Sequence, residues 1–90
     1  MRLDLFLKAS RLILRRSLAQ EFCDAGLIFV NGAKAKSSKE IKANDELEIK
    51  RRSRITKVKV LEIPAKKQVS KELAANLYEI ISEEILEDEF

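Results

Sequence analysis

Gly26 and the pair Asn31-Gly32 enclose a short apolar run, Leu27–Val30. Glycine adopts a positive φ at little cost, so a glycine directly after a helical pattern is typical of a helix C-terminus. An Asn-Gly pair after an apolar run is the strongest two-residue indication of a β-hairpin, here with a type I′ turn. Together they predict a helix, a buried strand Leu27–Val30, a tight turn and a return strand Ala33–Ala35.

The helix before Gly26 is predicted to have Ser17 as its N-cap. Serine is a favourable N-cap residue, and Gln20 three residues later completes a capping box. Arg15 and Arg16 stand directly in front of this cap. Free amide N–H groups and the positive end of the helix dipole favour anions, and arginine forks reinforce them. The sequence therefore predicts a phosphate-binding surface, in a protein that holds nucleic acid rather than transforms it.

The N-terminal residues predict another helix. Leu3, Phe6 and Leu7 recur at helical spacing, and the helix is expected to end near Ser10. The apolar segment Leu12–Leu14 is too short to assign, and a turn that plugs the core is one interpretation of it.

The remainder of the chain predicts strands and then a helix. Polar and apolar residues alternate in Glu46–Lys50 and again in Ile55–Ile63, which predicts two paired strands. After the linker Ala65–Val69, Ser70 is predicted to cap a C-terminal helix that packs on the domain. The fold class is therefore α+β, with two N-terminal helices on a small antiparallel sheet (residues 1–63) and a linker and C-terminal helix (residues 64–90). The C-terminal helix is expected to bury the apolar residues that recur at helical spacing: Leu73, Leu77, Ile80, Ile81 and Ile85.

Chain length and charge limit the possible functions. A chain of 90 residues buries only about 60% of its unfolded surface, so its core is thin. Residues 1–67 contain 17 Lys/Arg against 8 Asp/Glu, whereas residues 68–90 contain one lysine against 7 acidic residues. A basic body with an acidic C-terminal end is typical of nucleic-acid-binding proteins, and the alternative is an unevenly charged solvated surface.

Several kinds of chemistry are excluded by composition. The chain has no histidine and a single cysteine, Cys23. An intramolecular disulfide, a thiol–histidine catalytic pair and a Cys/His zinc site are therefore excluded, and no cofactor is expected. The charged start Met1–Asp4 does not resemble a signal peptide, and no apolar run approaches the roughly 20 residues that span a bilayer. A cytoplasmic location is predicted.

The order of residues between positions 2 and 49 resembles the αL RNA-binding module of small-subunit ribosomal protein S4. The opening Met-Arg-Leu-Asp-x-Phe-Leu-Lys-x-Ser-Arg-Leu-Ile, the later Arg-Arg-x-Leu-Ala and the segment Ala74–Tyr78 resemble the stand-alone members of the RqcP family along nearly the whole chain. The residues that carry the resemblance to the module are Arg2-Leu3-Asp4, Leu7, Arg11, Arg15-Arg16, Ala19, Gly26, Val30-Asn31-Gly32 and Asp45-Glu46-Leu47.

The resemblance to the RqcP family implies a ribosome-associated quality-control factor. Such a factor binds obstructed large ribosomal subunits carrying peptidyl-tRNA, contacts 23S rRNA and P-site tRNA, and supports C-terminal alanine tailing by an RqcH-type factor. The related heat-shock protein fifteen family implies an alternative, the recycling of nascent-chain-bearing large subunits without tailing. Both roles are non-enzymatic, involve no membrane and are expected of a monomer. Although the αL module is often fused to enzymes, no residues remain here for a catalytic domain.

Six basic residues are predicted to contact RNA, and each would act through phosphates. If residues 11–15 are helical, Arg11 and Arg15 share one face of that helix. The alternative for the arginines is ordinary solvation or ion pairing, and lysines at a hairpin edge can simply keep that edge soluble. The predicted RNA-binding residues are Arg2, Arg11, Arg15, Arg16, Lys34 and Lys36.

Other polar features have two interpretations each. Asp4 either braces an arginine of the RNA-binding face or only complements the dipole of its helix. The basic cluster Arg51, Arg52 and Arg54 is either a solvated turn or a further RNA contact. Tyr78 either packs or stacks on a base. The acidic C-terminal end, Glu83-Glu84 and Glu87-Asp88-Glu89, is either solvated or restricts by repulsion which face docks on RNA.

Overall fold

The computed structural model describes residues 1–86, in which a five-stranded antiparallel sheet packs against short helices. The strand order across the sheet is β2-β1-β3-β4-β5. In chain order, the elements are α1 (Leu3–Ala9), α2 (Arg16–Asp24), β1 (Ile28–Val30), β2 (Ala33–Lys34), β3 (Glu46–Arg51), β4 (Arg54–Val60), α3 (Lys71–Ala74) and β5 (Tyr78–Ile85). The α+β class is confirmed. Part of the acidic end, Glu87-Asp88-Glu89, lies outside the described residues.

The turn chemistry around β1 is as predicted. Gly26 follows α2 with a φ of +74°, and Asn31 and Gly32 have φ values of +51° and +87°. Positive φ at both central residues is the requirement of a type I′ turn. The Asn31 side chain also accepts a hydrogen bond from the backbone N–H of Glu46 at 2.9 Å. This asparagine therefore joins the β1–β2 hairpin to the start of β3.

The predicted N-cap of α2 is wrong by two residues. The cap position is held by Arg15, in extended backbone with φ −122° and ψ 135°, and no side chain caps the helix. Ser17 lies inside the first turn, and Gln20 does not form the capping box. Its side chain donates instead to the Asp4 carboxylate at 2.8 Å. In a capping box the Gln20 side chain would accept from the backbone N–H of the N-cap residue. The charge-assisted bond that it donates to the buried carboxylate of α1 holds the side chain elsewhere.

The core lies between α1 and the covered face of the sheet. Leu3, Phe6 and Leu7 are fully buried, which confirms the predicted face of α1. Ile13 is 4% exposed and belongs to the core, with Leu12 packed against it, whereas Leu14 is 71% exposed. The plug that the sequence suggested is therefore formed by Ile13 and Leu12 without Leu14. Cys23 is buried, and burial is the main cause that raises the pKa of its thiol to about 11. This cysteine is therefore unreactive at neutral pH.

The long C-terminal helix is a wrong prediction. Ser70 caps a helix as expected, with its Oγ accepting from the backbone N–H of Leu73 at 3.3 Å, but that helix ends at Ala74. Residues Tyr78–Ile85 form β5, which pairs antiparallel with β4. Isoleucine favours strands, and β4 offers an edge on which the segment can form a full ladder. Of the five apolar residues expected to face the core, only Leu77 is buried.

The basic cluster at the β3–β4 turn divides into different roles. The Arg51 guanidinium donates to the carbonyl oxygen of Leu12 at 2.7 Å and to Oγ1 of Thr56 at 3.2 Å. It therefore ties the segment between α1 and α2 to the sheet. Arg54 lies 3.7 Å from Glu83 of β5 in an ion pair. Arg52 is exposed in the turn itself.

Arg51→Met should lower the free energy of unfolding by about 1–3 kcal/mol, because methionine keeps the aliphatic stem and loses the bonds from the charged group. Denaturant unfolding followed by circular dichroism measures this change. Arg52→Met removes the same charge from an exposed position and should leave stability within about 0.5 kcal/mol of the parent. Equal stability of the two variants would contradict a structural role for Arg51.

Candidate nucleic-acid interface

The Asp4 carboxylate is the centre of a side-chain cluster that joins α1 to α2. It is fully buried in the first turn of α1. Its Oδ2 accepts hydrogen bonds from Arg16 Nε at 3.1 Å, Gln20 Nε2 at 2.8 Å and Arg2 Nη2 at 3.3 Å. Its Oδ1 accepts from the backbone N–H of Leu5 at 2.9 Å and lies 3.2 Å from Arg2 Nε. We call Arg2, Asp4, Arg16 and Gln20 the Asp4 cluster.

Opposing effects act on the charge of Asp4, and the balance favours the ionised form. Burial disfavours the carboxylate. Hydrogen bonds from Gln20 and Arg16, the positive charge of Arg16 and the backbone N–H of Leu5 outweigh burial, so the pKa of Asp4 lies below its ordinary value of 3.8. The carboxylate is therefore charged at neutral pH and fixes both guanidinium groups. This geometry supports the bracing role for Asp4.

The stability of the protein at acidic pH should consequently depend on the ionisation of Asp4. A pKa that is lower in the folded than in the unfolded protein adds stability that is fully present above the unfolded pKa, about 3.9, and is lost as pH falls through the folded pKa. We expect the melting temperature of the parent to fall below about pH 4. Asp4→Asn should lose part of that pH dependence. Glu40 must be controlled with Glu40→Gln, since the hydrogen bond and charge of the N-terminus also lower the pKa of this carboxyl.

The two braced arginines keep a solvent-facing side. The side chains of Arg2 and Arg16 are 43% and 40% exposed, although both contact a carboxylate with no exposure at all. Arg16 bonds to Asp4 through its Nε only, and within the described residues its two terminal nitrogens form no hydrogen bond and no ion pair. A guanidinium held on one side and open on the other is preorganised, because its rotamer is fixed before an anion arrives.

The loop that follows β2 is fixed against this cluster. The backbone N–H of Leu3 donates to the carbonyl of Lys39 at 2.7 Å, and that of Asp4 donates to the carbonyl of Ser37 at 3.1 Å. The N-terminal ammonium also pairs with Glu40 at 2.6 Å. These bonds satisfy the first N–H groups of α1, and a bridge between Arg2 and Glu40 places the backbone of residues 37–40 beside Arg2. The loop and the helices therefore form one basic surface.

The start of α2 and the hairpin extend this surface. Arg15 is exposed at the cap position, and the first N–H groups of α2 have no side-chain cap. Lys34 crosses the end of the same helix, since its Cε lies 3.4 Å from where a Cβ at Gly26 would be. Lys34 and Lys36 line a shallow groove of about 270 Å³ together with Lys39 and Ser38. Within residues 1–86, Arg15, Lys34 and Lys36 form no ion pair.

Arg11 lies elsewhere, beyond the opposite end of α1. Residues 11–15 are not helical, and Arg11 has a φ of +62°, so the shared face with Arg15 that a helix would give does not form. Its guanidinium contacts the carbonyl of Val69 at 3.4 Å. Arg11, Lys8 and Lys67 line an open cleft of about 390 Å³. The structure thus separates Arg11 from the other five predicted residues.

Gln20, Lys8 and Lys67 were not predicted as parts of a site. Gln20 was assigned to a local capping box, and its partner Asp4 is 16 residues away in the chain. Lys67 reaches the Arg11 cleft from the segment before α3, again through a contact that no local pattern encodes. A sequence pattern shows which residues share one helix or strand, so contacts between elements are missed.

Two further properties concern the part of the chain that the structure describes. Residues 1–86 contain no group of three or more His, Cys, Asp or Glu residues placed to hold a metal ion. No helix in the same range is long and apolar enough to cross a membrane.

Comparison with known proteins places these features in context. The S4 domain model matches residues 1–47, a range that contains all six predicted RNA-binding residues. The RQC P-site tRNA stabilizing factor of Streptococcus pneumoniae is 51% identical over 88 residues, which cover 98% of each chain. The protein of the same name from Bacillus subtilis is 49% identical over 86 residues, covering 96% of this chain and 98% of the relative. The trimeric structure of Vibrio cholerae heat shock protein 15 superimposes with a TM-score of 0.81 at 25% identity, covering 91% of this chain and 82% of that one.

Proposed function

The chain belongs to the S4-domain family of RQC P-site tRNA stabilizing factors, and we propose that it binds P-site tRNA and ribosomal RNA as a non-enzymatic factor of ribosome quality control. The observation that carries the proposal is the Asp4 cluster, in which one buried carboxylate holds Arg2 and Arg16 with their outer sides open. Such a cluster binds anions, and its one carboxylate is fully buried and already bonded to Arg2, Arg16 and Gln20. It supports holding an RNA rather than changing it.

The binding mechanism that we propose is electrostatic docking on a phosphate backbone. Arg2 and Arg16 contact phosphate oxygens through the nitrogens that Asp4 does not use. Arg15 and the uncapped N–H groups of α2 add an anion site beside them, and Lys34 and Lys36 flank the same RNA strand from the hairpin. These contacts carry no base information, so selectivity comes from the shape of the junction between the ribosome and the tRNA.

Arg11 is proposed to contact RNA at a separate place. Its cleft also holds Lys8 and Lys67, and none of the three forms an ion pair within the described residues. The cleft lies beyond the C-terminal end of α1, whereas the Asp4 cluster lies at its N-terminal end. Because α1 has seven residues, the two sites would contact phosphates about 10 Å apart at 1.5 Å per residue.

The more detailed role follows from the family. We propose that the protein binds large ribosomal subunits obstructed by peptidyl-tRNA and contacts 23S rRNA as well as the tRNA. By holding the peptidyl-tRNA in the P site between rounds of addition, it supports C-terminal alanine tailing by an RqcH-type factor. A tRNA anchored by several phosphate contacts dissociates more slowly, because each contact adds to the barrier for release.

Recycling without tailing is the second candidate. The likeness to heat shock protein 15, with a TM-score of 0.81, supports it. The identity to that protein is 25%, against 51% to the Streptococcus relative. The more similar relative is named for stabilizing P-site tRNA, which supports the holding of P-site tRNA that the first candidate requires.

Gene deletion separates the two candidates. We expect cells without the gene to lose alanine tails on nascent chains from a reporter that lacks a stop codon, as measured by mass spectrometry of the released peptides. The parent gene and Arg52→Ala should restore the tails, and Arg16→Ala should not. Unchanged tails together with accumulating peptidyl-tRNA on free large subunits would favour the recycling role instead.

A further inference from the structure

The two edges of the sheet differ in length and charge. One edge is β2, which has two residues and carries Lys34. The other is β5, which has eight residues and carries Glu79, Glu83 and Glu84. Within residues 1–86, β4 is the only strand paired with β5. The outer edge of β5 therefore offers backbone N–H and C=O groups to a further strand.

The exposed side chains of β5 combine apolar and acidic character. Ile80, Ile81 and Ile85 are 54%, 47% and 74% exposed, and every residue from position 79 to 86 is exposed. Isolated exposed apolar residues are ordinary, but several on one free edge strand mark an interaction surface. The glutamates between them oppose binding of RNA and of acidic proteins. The surface thus selects a partner by charge.

β4, the strand that already pairs with β5, indicates which side chains β5 accepts in a neighbouring strand. On its inner edge, Lys59 lies opposite Glu79, and Val58 lies opposite Ile80. The β4 sequence, Arg54–Val60, combines three basic and three apolar residues with Thr56, and residues 57–60 alternate basic and apolar. Opposite charges and branched apolar pairs stabilise directly opposed positions, whereas like charges destabilise them. A second copy of β5 is a poorer match than β4, because Tyr78–Ile85 contains no basic residue that could lie opposite the glutamates.

The position of β5 leaves it accessible while RNA is bound elsewhere. Four strand spacings of about 4.8 Å separate β5 from β2, which is roughly 19 Å. The basic surface lies at the β2 side, next to the loop that carries Lys36 and Lys39. An RNA on that surface is held away from the acidic edge. The two edges can therefore be occupied at the same time.

We propose that the outer edge of β5 is a docking site for a partner protein, which adds an extended, basic and apolar segment to the sheet as a further strand. Backbone hydrogen bonds supply the affinity, and Glu79 and Glu84 select lysine or arginine in the added strand. The site is distinct from the proposed RNA surface and does not depend on it.

A peptide with the β4 sequence tests this proposal, because it reproduces the chemistry that β5 already accepts. We would titrate the ¹⁵N-labelled full chain with a capped peptide of residues 54–60 and, as matched control, with the same peptide carrying Lys57→Glu and Lys59→Glu. The parent peptide should shift and protect amides of residues 79–85 only. The control peptide should bind about tenfold more weakly. In the register of β4 it reverses the charge directly opposite Glu79, at Lys59, and the charge diagonal to Glu84, at Lys57, which lies opposite Ser82.

Charge reversal in the protein completes the test. The Glu79→Lys/Glu84→Lys variant should prefer the glutamate peptide, while unchanged amide signals of β1–β3 confirm that it folds. The proposal is overturned if the peptide leaves β5 amides unchanged, if both peptides bind equally, or if charge reversal does not invert the preference. Concentration-dependent self-association through β5, or shifts of β5 amides on adding RNA, would also overturn it in favour of a second copy or of RNA.

Discussion

Replacing Arg16 with alanine is expected to lower the affinity for obstructed large ribosomal subunits by about 10- to 100-fold. A charge-assisted hydrogen bond contributes about 1.5–3 kcal/mol, and each 1.4 kcal/mol is a factor of ten in affinity. Arg16 has its Nε fixed by Asp4 at 3.1 Å, so its terminal nitrogens are preorganised for phosphate. Arg16→Lys should not restore binding, because lysine has no fork that can serve the carboxylate and a phosphate together.

Co-sedimentation with purified large subunits over a range of salt concentrations measures this effect. The slope of log affinity against log salt should fall by about one for Arg16→Ala, since one phosphate contact is lost. Arg52→Ala is the matched control, because it removes the same charge from an exposed turn outside residues 1–47. Equal binding of both variants would refute the assignment of Arg16. The fold should persist, since Asp4 keeps its bonds from Arg2 and Gln20.

Asp4→Asn is expected to weaken RNA binding about tenfold or more and to lower the free energy of unfolding by about 2 kcal/mol. The expected loss of RNA affinity is opposite to the change expected from net charge alone, because removal of an acidic group normally strengthens binding to RNA. Without the carboxylate, the guanidinium groups of Arg2 and Arg16 repel each other and lose their fixed orientation. The loss of preorganisation outweighs the gain in net charge.

Asp24→Asn separates the effect of net charge from the effect of lost preorganisation. Asp24 is exposed at the end of α2, and its substitution changes the net charge by the same amount. We expect Asp24→Asn to bind RNA as well as the parent or slightly better, with unchanged stability. If Asp4→Asn behaved in the same way, Asp4 would only complement its helix dipole. Filter binding to a tRNA at fixed salt, paired with thermal melting, gives both quantities for each variant.

Local patterns predicted the elements around the Asp4 cluster well. Gly26 and Asn31-Gly32 determine their turns because positive φ is costly for most residues, and this requirement acts within a few residues. The helix face of Leu3, Phe6 and Leu7 likewise follows from periodicity alone. The S4 match over residues 1–47 covers this same part of the chain.

Contacts between distant residues were beyond local patterns. Asp4 had two equally reasonable roles, because its partners Arg16 and Gln20 lie 12 and 16 residues away. The basic cluster at Arg51 looked uniform, yet Arg51 is bonded to the carbonyl of Leu12, 39 residues distant. A charged residue has a role that depends on which partner the fold brings to it.

The C-terminal segment shows how spacing can mislead. Leu73, Leu77 and Ile81 recur every fourth residue, which predicts a helix, but isoleucines at 80, 81 and 85 suit a strand equally well. The free edge of β4 decides between the two, and the register shift in β5 opposite Lys57 and Val58 accommodates the residues that do not alternate. Strand formation exposed the apolar residues that a helix would have buried.

Tethered cleavage of RNA tests the central claim most directly. Because Cys23 is buried and has a raised pKa, a cysteine introduced by Ser38→Cys can be labelled selectively with an iron chelate that cuts nearby RNA. Ser38 lies in the loop beside the Asp4 cluster. On large subunits carrying peptidyl-tRNA, we predict cuts in the P-site tRNA and in adjacent 23S rRNA, lost with Arg16→Ala and different from those of a chelate at Arg52→Cys. Absence of tRNA cuts, or identical cuts from both positions, would contradict the account.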